Sequence, residues 1–370
     1  MTTAAYHEAR VRPAAARPLR IALIAASLDI IGGHGVQMRA LQQALGAQGH
    51  DVSFIPINPR LPDVLRWVRR IPYARTAINE LFYLPSLAQL RSVDVVHVFS
   101  ASYWSFLLSP VPAILVARAL GRRVVLHYHS GEADDHLANW GVTVHPWLAR
   151  VHEIVVPSRY LQDVFARHGY RATVIPNIVD PRRFVFRDRR PVTPHLLSNR
   201  NLEPYYRVDV TIRAFALLTA RRPDATLTIA GSGSQEGALR NLVAELGVSD
   251  VTFVGAVPPA EMPELFARAG VFVNASTLDN QPVSILEAFA AGLPVVSTGA
   301  GDIAAMLGDG VFGVLVRPED PAALCDAVLG LLDRPEVSAA MARRAHAELA
   351  RYTWPEVAGA WSSVYRAKAS

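Results

Sequence analysis

Residues 275–298, ASTLDNQPVSILEAFAAGLPVVST, gather the groups of this chain best suited to holding a charged ligand. Asp279 and Glu287 stand eight positions apart and bracket Pro282, where a helical pattern opens. A proline at a helix start costs little, because its missing N–H would have no partner there. The amides that follow, those of Val283 and Ser284, point outward beside the positive end of the helix dipole. A diphosphate fits such a seat. One carboxylate lies in the loop and the other in the second turn, so the pair flanks whatever lies along the helix start. A carboxylate pairs well with a vicinal diol, which suits Glu287 to a ribose and Asp279 to the hydroxyls of a sugar.

Other residue types with chemical use are scattered more thinly. Gly32-Gly33-His34-Gly35 follows an apolar run and offers backbone that can approach a ligand, with a tight turn as the plain alternative. The stretch 126–132, LHYHSGE, puts His127 and His129 on the same side of a strand, and alternation alone leaves both open. Gly231-Ser232-Gly233 ends a strand and opens a helix, the setting of a dinucleotide fingerprint. Its third glycine, Gly237, falls one position late, and the following strand ends in Gly255 without the acidic residue that holds an adenosine ribose.

Absences narrow the chemistry further. The only lysine is Lys368, so Schiff-base, Walker-type and pyridoxal mechanisms have no candidate residue. No D-x-D triplet occurs, and a metal-clamped diphosphate is unsupported; arginines and helix amides must supply the positive charge, and no metal is expected. The single cysteine, Cys325, lies in an apolar helical pattern and reads as a buried inert thiol, in keeping with a reducing cytoplasm.

Strand ends and helix starts are needed to position these groups, and the chain supplies them in alternation. Short β-branched runs at 21–25, 52–57, 93–99, 124–129, 154–157 and 173–176 are separated by helical patterns, and a second set follows at 196–198, 226–230, 251–254, 271–274, 294–297 and 314–316. This is the pattern of parallel sheets covered by helices. At 370 residues the chain exceeds what one core holds. We expect a disordered tail over 1–17, a Rossmann-like domain over 18–180 and a second over 195–350. Residues 181–194, with five Arg and three Pro, read as the hinge. Residues 351–370, carrying Trp354, Trp361 and Tyr365, read as a helix packing across the domain junction. Two such sheets leave a cleft at the carboxyl ends of their strands.

The composition, 51% hydrophobic and 19% charged, is that of a soluble globular protein, with no apolar run of about 20 residues to span a bilayer. Arginines at 10, 12, 17 and 20 ahead of an apolar stretch imitate a secretory signal, but Asp29 inside the stretch and Gly32-Gly33 at its end fit a buried first strand and its turn. Of the net +5, residues 1–175 hold 18 basic against 11 acidic groups and the remainder 19 against 21. A basic first half, with LRWVRRIPYAR at 65–75, allows weak peripheral contact with an anionic membrane face or a phosphorylated acceptor; a solvated arginine rim is the plain reading. No basic helix, zinc-finger spacing or aromatic RNA-binding signature points to nucleic acid.

The 275–298 segment resembles the E-x7-E region of the family-4 retaining glycosyltransferases, continuing into Glu287-Ala288-Phe289-Ala290-Ala291-Gly292-Leu293-Pro294-Val295-Val296, with Asp279 where the family often has Glu. The resemblance runs from Arg20 to the last helix. It implies an α/β GT-B fold, two Rossmann-like doubly wound domains facing across a cleft, the first for acceptor and the second for a nucleotide-sugar donor. It implies Gly32 and Gly33 at the diphosphate and acceptor, and His129 as the catalytic-site histidine with His127 as second choice. Arg200 matches the arginine that grips the donor diphosphate. The lysine expected shortly after it is missing, and Arg207 is the replacement for that charge. Gly231 and Gly233 serve the donor site, Val257 sits beside the base, and Asp279, Asn280, Gln281, Pro282, Val283, Ser284 and Glu287 complete it. Segments 156–158 and 174–184 match architectural motifs, with Ile178 in place of the usual Gly. The implied catalytic set is His129, Asp279 and Arg200, and the implied reaction is retaining, metal-independent hexosyl transfer from a UDP- or GDP-sugar to an acceptor hydroxyl in polysaccharide or glycolipid synthesis. The competing readings are a noncatalytic nucleotide-sugar-binding paralogue, a nicotinamide dehydrogenase and a nucleotide-sugar epimerase.

Overall fold

A computed structural model describes residues 17–27, 33–58, 71–100 and 102–367. Its first sheet is built from β1 (Arg20–Ala25), β2 (Asp51–Pro56), β3 (Val95–Ser100), β4 (Arg123–Tyr128), β5 (Glu153–Val156) and β6 (Thr173–Val174). The second holds β7 (His195–Asn199), β8 (Thr226–Ala230), β9 (Val251–Gly255), β10 (Val271–Asn274), β11 (Val295–Thr298) and β12 (Val314–Val316). All pairings are parallel, with orders β2-β1-β3-β4-β5-β6 and β12-β11-β10-β7-β8-β9. Helices cover both faces, so central strands are buried on both sides and read as continuous apolar runs: Ile21, Ala22, Leu23 and Ile24 are all fully buried.

In each sheet the chain builds outward from one strand and then returns to its other side. β1 lies between β2 and β3, and β7 between β8 and β10. Helices leaving such a switch point diverge and open a crevice beyond the strand ends. The turns after β7 and β10 carry Arg200 and Asp279, and the helix Gly33–Ala47 follows β1. The fold therefore brings together the segments that the sequence singled out.

The last helix, Trp354–Arg366, returns to the first domain. Its Val357, Trp361, Val364 and Tyr365 pack with Ile21, Leu23, Val125 and Met38 on one face of the first sheet. Arg123, at the start of β4, ties the helix end down through bonds to the carbonyls of Val364 and Ala367, both 2.8 Å. Just before it, Tyr352 belongs to the second domain's core and accepts from the Val179 N–H at 2.8 Å.

Residues 181–194 are a strap fastened to the second domain. Phe184 enters its core, 5.6 Å from the ring of Phe266. The Arg189 guanidinium donates to the carbonyls of Phe266, Ala269 and Ala291 at 2.8, 2.8 and 2.6 Å, and burial pushes its pKa down to about 10. Cys325 is buried in the helix Pro321–Asp333, where burial raises the pKa of its thiol. No helix among the described residues is long and apolar enough to cross a membrane. Residues 1–16 and 59–70, which include most of the expected tail and Arg66, Arg69 and Arg70, lie outside the described residues.

If the last helix is part of the first domain's core, Trp361→Ala should cost about 3–5 kcal/mol, the range for removing a large buried aromatic. Urea unfolding reads this directly; a loss below about 1 kcal/mol would mean a helix merely resting on the surface.

Candidate active site in the interdomain cleft

The helix Val283–Ala291 begins after Pro282, whose extended backbone (φ −69°, ψ 120°) ends the preceding loop. It ends at Gly292 in the left-handed conformation (φ 71°, ψ 30°), with the Leu293 N–H returning to the Ala288 carbonyl at 2.9 Å. No side chain fits at Gly292, since a Cβ there would lie 2.7 Å from the Arg187 carbonyl oxygen. Every residue from Ser284 to Ala291 is buried, which explains the near absence of polar positions. Glu287 is the one ionisable residue among them. It is 6% exposed, accepts no hydrogen bond among the described residues and lines the cleft. Burial pushes its pKa up to about 7, with Arg183 acting in the opposite direction.

Arg200 approaches the same helix start from β7. Its guanidinium donates to Ser284 Oγ at 3.2 Å and to Asp279 Oδ2, and lies over the Tyr206 ring, 4.2 Å from the centroid. Its Nε is buried without a hydrogen-bond partner. Gly231 makes this approach possible: a Cβ there would collide with the Arg200 carbonyl, and its backbone (φ 142°) favours glycine. Gly301 (φ 57°) likewise leaves room for the Asp279 carbonyl, and the neighbouring Asp302 N–H donates to the Asn280 carbonyl at 3.0 Å.

The loop before the helix also touches the first domain. Gln281 Oε1 accepts from the Asn177 N–H at 2.6 Å, and the Gln281 carbonyl accepts from Asn177 Nδ2 at 2.8 Å. Asn280 is bonded to the Ser158 hydroxyl and donates to the His129 carbonyl at 3.4 Å. Gly131 lets the domains come close, a Cβ there falling 3.2 Å from the Asp279 carbonyl oxygen. On this side Gly33, His129 and Glu132 line the cleft. His129 stacks on Phe99 (5.4 Å, interplanar angle 19°), and its ring centroid is 4.0 Å from that of His127.

These groups enclose a cavity of about 520 Å³. Of the residues expected at the site, Gly33, His129, Arg200, Gly231 and Val257 line it. So do Asp279, Asn280, Gln281, Pro282, Val283, Ser284 and Glu287. Gly32 lies outside the described residues. Arg207 does not reach the cleft: it precedes the helix Val208–Thr219 in a left-handed conformation, and its guanidinium is bonded to Asp209, at 3.0 Å, and to Glu319. Those local carboxylates take the charge that was expected to replace the missing lysine. Gly233 is also absent from the lining; a Cβ there would strike the Leu202 carbonyl, so this glycine serves the packing of one loop on another. His127 and His129 do share a side of the strand end, and His129 is the one that lines the cavity.

Tyr206 and Glu132 were not among the expected site residues, and Ser158 and Asn177 were expected only within the architectural motifs at 156–158 and 174–184. Tyr206 stood in plain view beside Arg200, and an aromatic near a ligand-facing arginine is a usable signal. The other three act through contacts between segments more than a hundred residues apart or through a position on the rim, which no local pattern encodes.

Facing doubly wound domains with an arginine and a helix start at one switch point define a two-domain α/β fold whose cleft suits a phosphorylated ligand. Comparison with known proteins gives the family. The description Glycosyltransferase Family 4 matches residues 31–183, and Glycosyl transferases group 1 matches residues 193–334. Glycogen synthase of Mycobacterium tuberculosis is 31% identical, over 91% of this chain and 92% of that protein. D-inositol 3-phosphate glycosyltransferase of Nocardia farcinica is 30% identical, over 66% of this chain and 54% of that protein. Among solved structures, sucrose-phosphate synthase from Thermosynechococcus elongatus superposes with a TM-score of 0.74 at 18% identity, covering 94% of this chain and 98% of the other. Anabaena HepE in complex with UDP and glucose superposes with a TM-score of 0.72 at 19% identity, covering 93% and 100%. The chain belongs to the group 1, family-4 glycosyltransferases and has the GT-B fold.

Glu287 offers a test that needs no substrate. Its folded pKa, about 7, exceeds the ordinary 4.5, so the folded protein keeps a proton that the unfolded chain releases. The stability this contributes is complete below about pH 4.5 and is lost as pH rises through 7. Glu287→Gln, neutral throughout, should match wild type near pH 4.5 and exceed it at pH 8 by on the order of 2–3 kcal/mol in urea unfolding. Equal stability of the two proteins at pH 8 would contradict the burial of an unpaired carboxyl here.

Proposed function

We propose that this glycosyltransferase moves a hexosyl group from a UDP- or GDP-sugar to an acceptor hydroxyl, with retention at the anomeric carbon and without a metal ion. The observation that carries the reading is the convergence, in one cavity, of the Arg200 guanidinium, the start of the helix Val283–Ala291 and the carboxyls of Asp279 and Glu287. The guanidinium and the amides of Val283 and Ser284 would hold the diphosphate, a charge pattern suited to stabilising the departing phosphate. Glu287 would take the ribose hydroxyls in its ionised form, and Asp279 those of the transferred sugar.

In the proposed reaction the bond from the anomeric carbon to the diphosphate oxygen breaks while a bond to the acceptor oxygen forms on the same face. The acceptor's proton passes to the departing phosphate oxygen. His129, across the cleft, would hold the reacting sugar in place, so that catalysis rests on positioning and on the leaving group's charge. Acceptors of the proposed kind are hydroxyls of a polysaccharide or glycolipid, reached from the first domain. A cytoplasmic site of action and a weak contact with the inner membrane face belong to the same proposal, the latter on the arginine excess of residues 1–175.

Calorimetric titration with UDP and GDP, followed by a panel of their sugars, tests this. One nucleotide should bind, and Glu287→Ala should weaken it about 10- to 100-fold, as expected for losing a charge-assisted hydrogen-bond pair. A protein that hydrolyses or transfers from no member of the panel, with nucleotide affinity unaffected by Glu287→Ala, would falsify the proposal.

A further inference from the structure

Beneath His129 a column of buried polar rings runs back through the first domain to the last helix. The Tyr365 hydroxyl lies 2.8 Å from His97 Nδ1, and His97 Nε2 lies 3.2 Å from His127 Nδ1. His127 in turn meets the ring of His129. Apolar rings wall the column: Trp361 lies 5.1 Å from both His97 and His127, and Phe99 stacks on His97 at 4.8 Å and on His129 at 5.4 Å. His97 is fully buried and Tyr365 nearly so.

We propose that Tyr365 and His97 are positioning residues for His129, fixing the tautomer and ring plane of His127 against which His129 is braced. The inference rests on the reading of His129 as the histidine that faces the reacting sugar. The direction of the bonds follows from the supply of protons. Burial holds the His97 pKa down to about 3 and raises that of Tyr365 well above 10, so the imidazole is neutral with one N–H and the phenol keeps its proton. That hydroxyl has His97 as its hydrogen-bond partner. If it donates to Nδ1, the His97 proton sits on Nε2 and donates to His127 Nδ1, and both bonds are made. Both orders make two bonds; the reverse leaves the phenol proton without an acceptor at the enclosed Tyr365 end of the column, whereas this order places the last proton at the other end, on His127 beside His129. Tyr365 thus ends the column as its proton donor, and His127 is left with its own proton on Nε2.

The element that supplies this donor is reached from the second domain through Tyr352, while its side chains pack in the first. The orientation of a cleft histidine is therefore set by a helix that links the two halves.

Long-range proton–nitrogen spectra of protein labelled with 15N-histidine report each ring's tautomer without any substrate. His97 and His127 should both carry the proton on Nε2 in the wild type. Tyr365→Phe, which keeps the ring and removes only the donor, should shift both signals and lower kcat about tenfold, with the donor KM and the affinity for whichever of UDP and GDP binds within about twofold of wild type. A wild-type spectrum with His97 protonated on Nδ1 overturns the proposal, and so does a Tyr365→Phe protein with unchanged kcat or with its nucleotide affinity lost in step with it. Should the variant not fold, the wild-type spectrum decides alone. Failure of the wild type to bind any nucleotide sugar would instead count against the glycosyl-transfer reading and leave the tautomer assignment standing.

Discussion

The loop of Asp279, Asn280 and Gln281 is held from both sides, and the geometry of the cleft depends on that double hold. From the second domain, Arg200 bonds the Asp279 carboxylate and the Asp302 N–H bonds the Asn280 carbonyl. From the first, Asn177 and Ser158 bond Gln281 and Asn280. Asn280, Gln281, Asn177 and Ser158 are all buried, and an unpaired polar group in such a place costs about 1–3 kcal/mol. Parting the domains would strand several of them together unless water replaced each bond. The clamp thus makes the placing of the helix start a property of both domains, although all of that helix belongs to the second.

A second consequence concerns charge. The helix Val283–Ala291 is enclosed and apolar apart from Ser284 and Glu287, and the Glu287 carboxyl finds no hydrogen bond among the described residues. Folding gains nothing from ionising this group, as its raised pKa shows. A ligand bringing donors to it would lower that pKa and draw favourable energy from a group that the fold alone leaves at a disadvantage. An isolated buried carboxyl that opens onto a cavity is in this sense a mark of function, whereas Arg189, half-buried and bonded to four carbonyls, is a mark of structure.

That contrast also separates what was legible in the sequence from what was not. All twelve strands were readable: central strands buried on both faces leave short β-branched runs that helical patterns interrupt, and the edge strands β2, β6, β9 and β12 keep such runs although partly exposed. The helix start at Pro282 was readable for a similar local reason, since proline, amides and carboxylates lie within a few residues of each other. Arg207 and Arg189 were not. An arginine's partner decides whether its charge serves a ligand: the carbonyls of Phe266, Ala269 and Ala291 that hold Arg189 lie 77 to 102 residues away, and Arg207, besides Asp209 two positions on, meets Glu319 112 residues away. The two glycines of Gly231-Ser232-Gly233 look alike as letters, yet one opens onto the cleft and the other packs beneath Leu202. Tyr365 and His97, 268 residues apart, show no pattern at all until the last helix folds back.

The pairing of Arg200 with Asp279 bears on how a nucleotide sugar would lie in the proposed site. A diphosphate and Asp279 repel, so the phosphates would favour the Ser284 side of the guanidinium, where helix amides add their own attraction and the Nε hydrogen remains to be given. Asp279, on the other edge of the same guanidinium, is left to accept hydrogen bonds from neutral hydroxyls. In the proposed site, one arginine held between a serine and an aspartate would therefore separate the charged part of the donor from its sugar, and would fix the order of the two along the cleft before the acceptor enters. The Tyr206 ring beneath keeps the guanidinium plane from turning, so this order would be retained as negative charge develops on the departing phosphate.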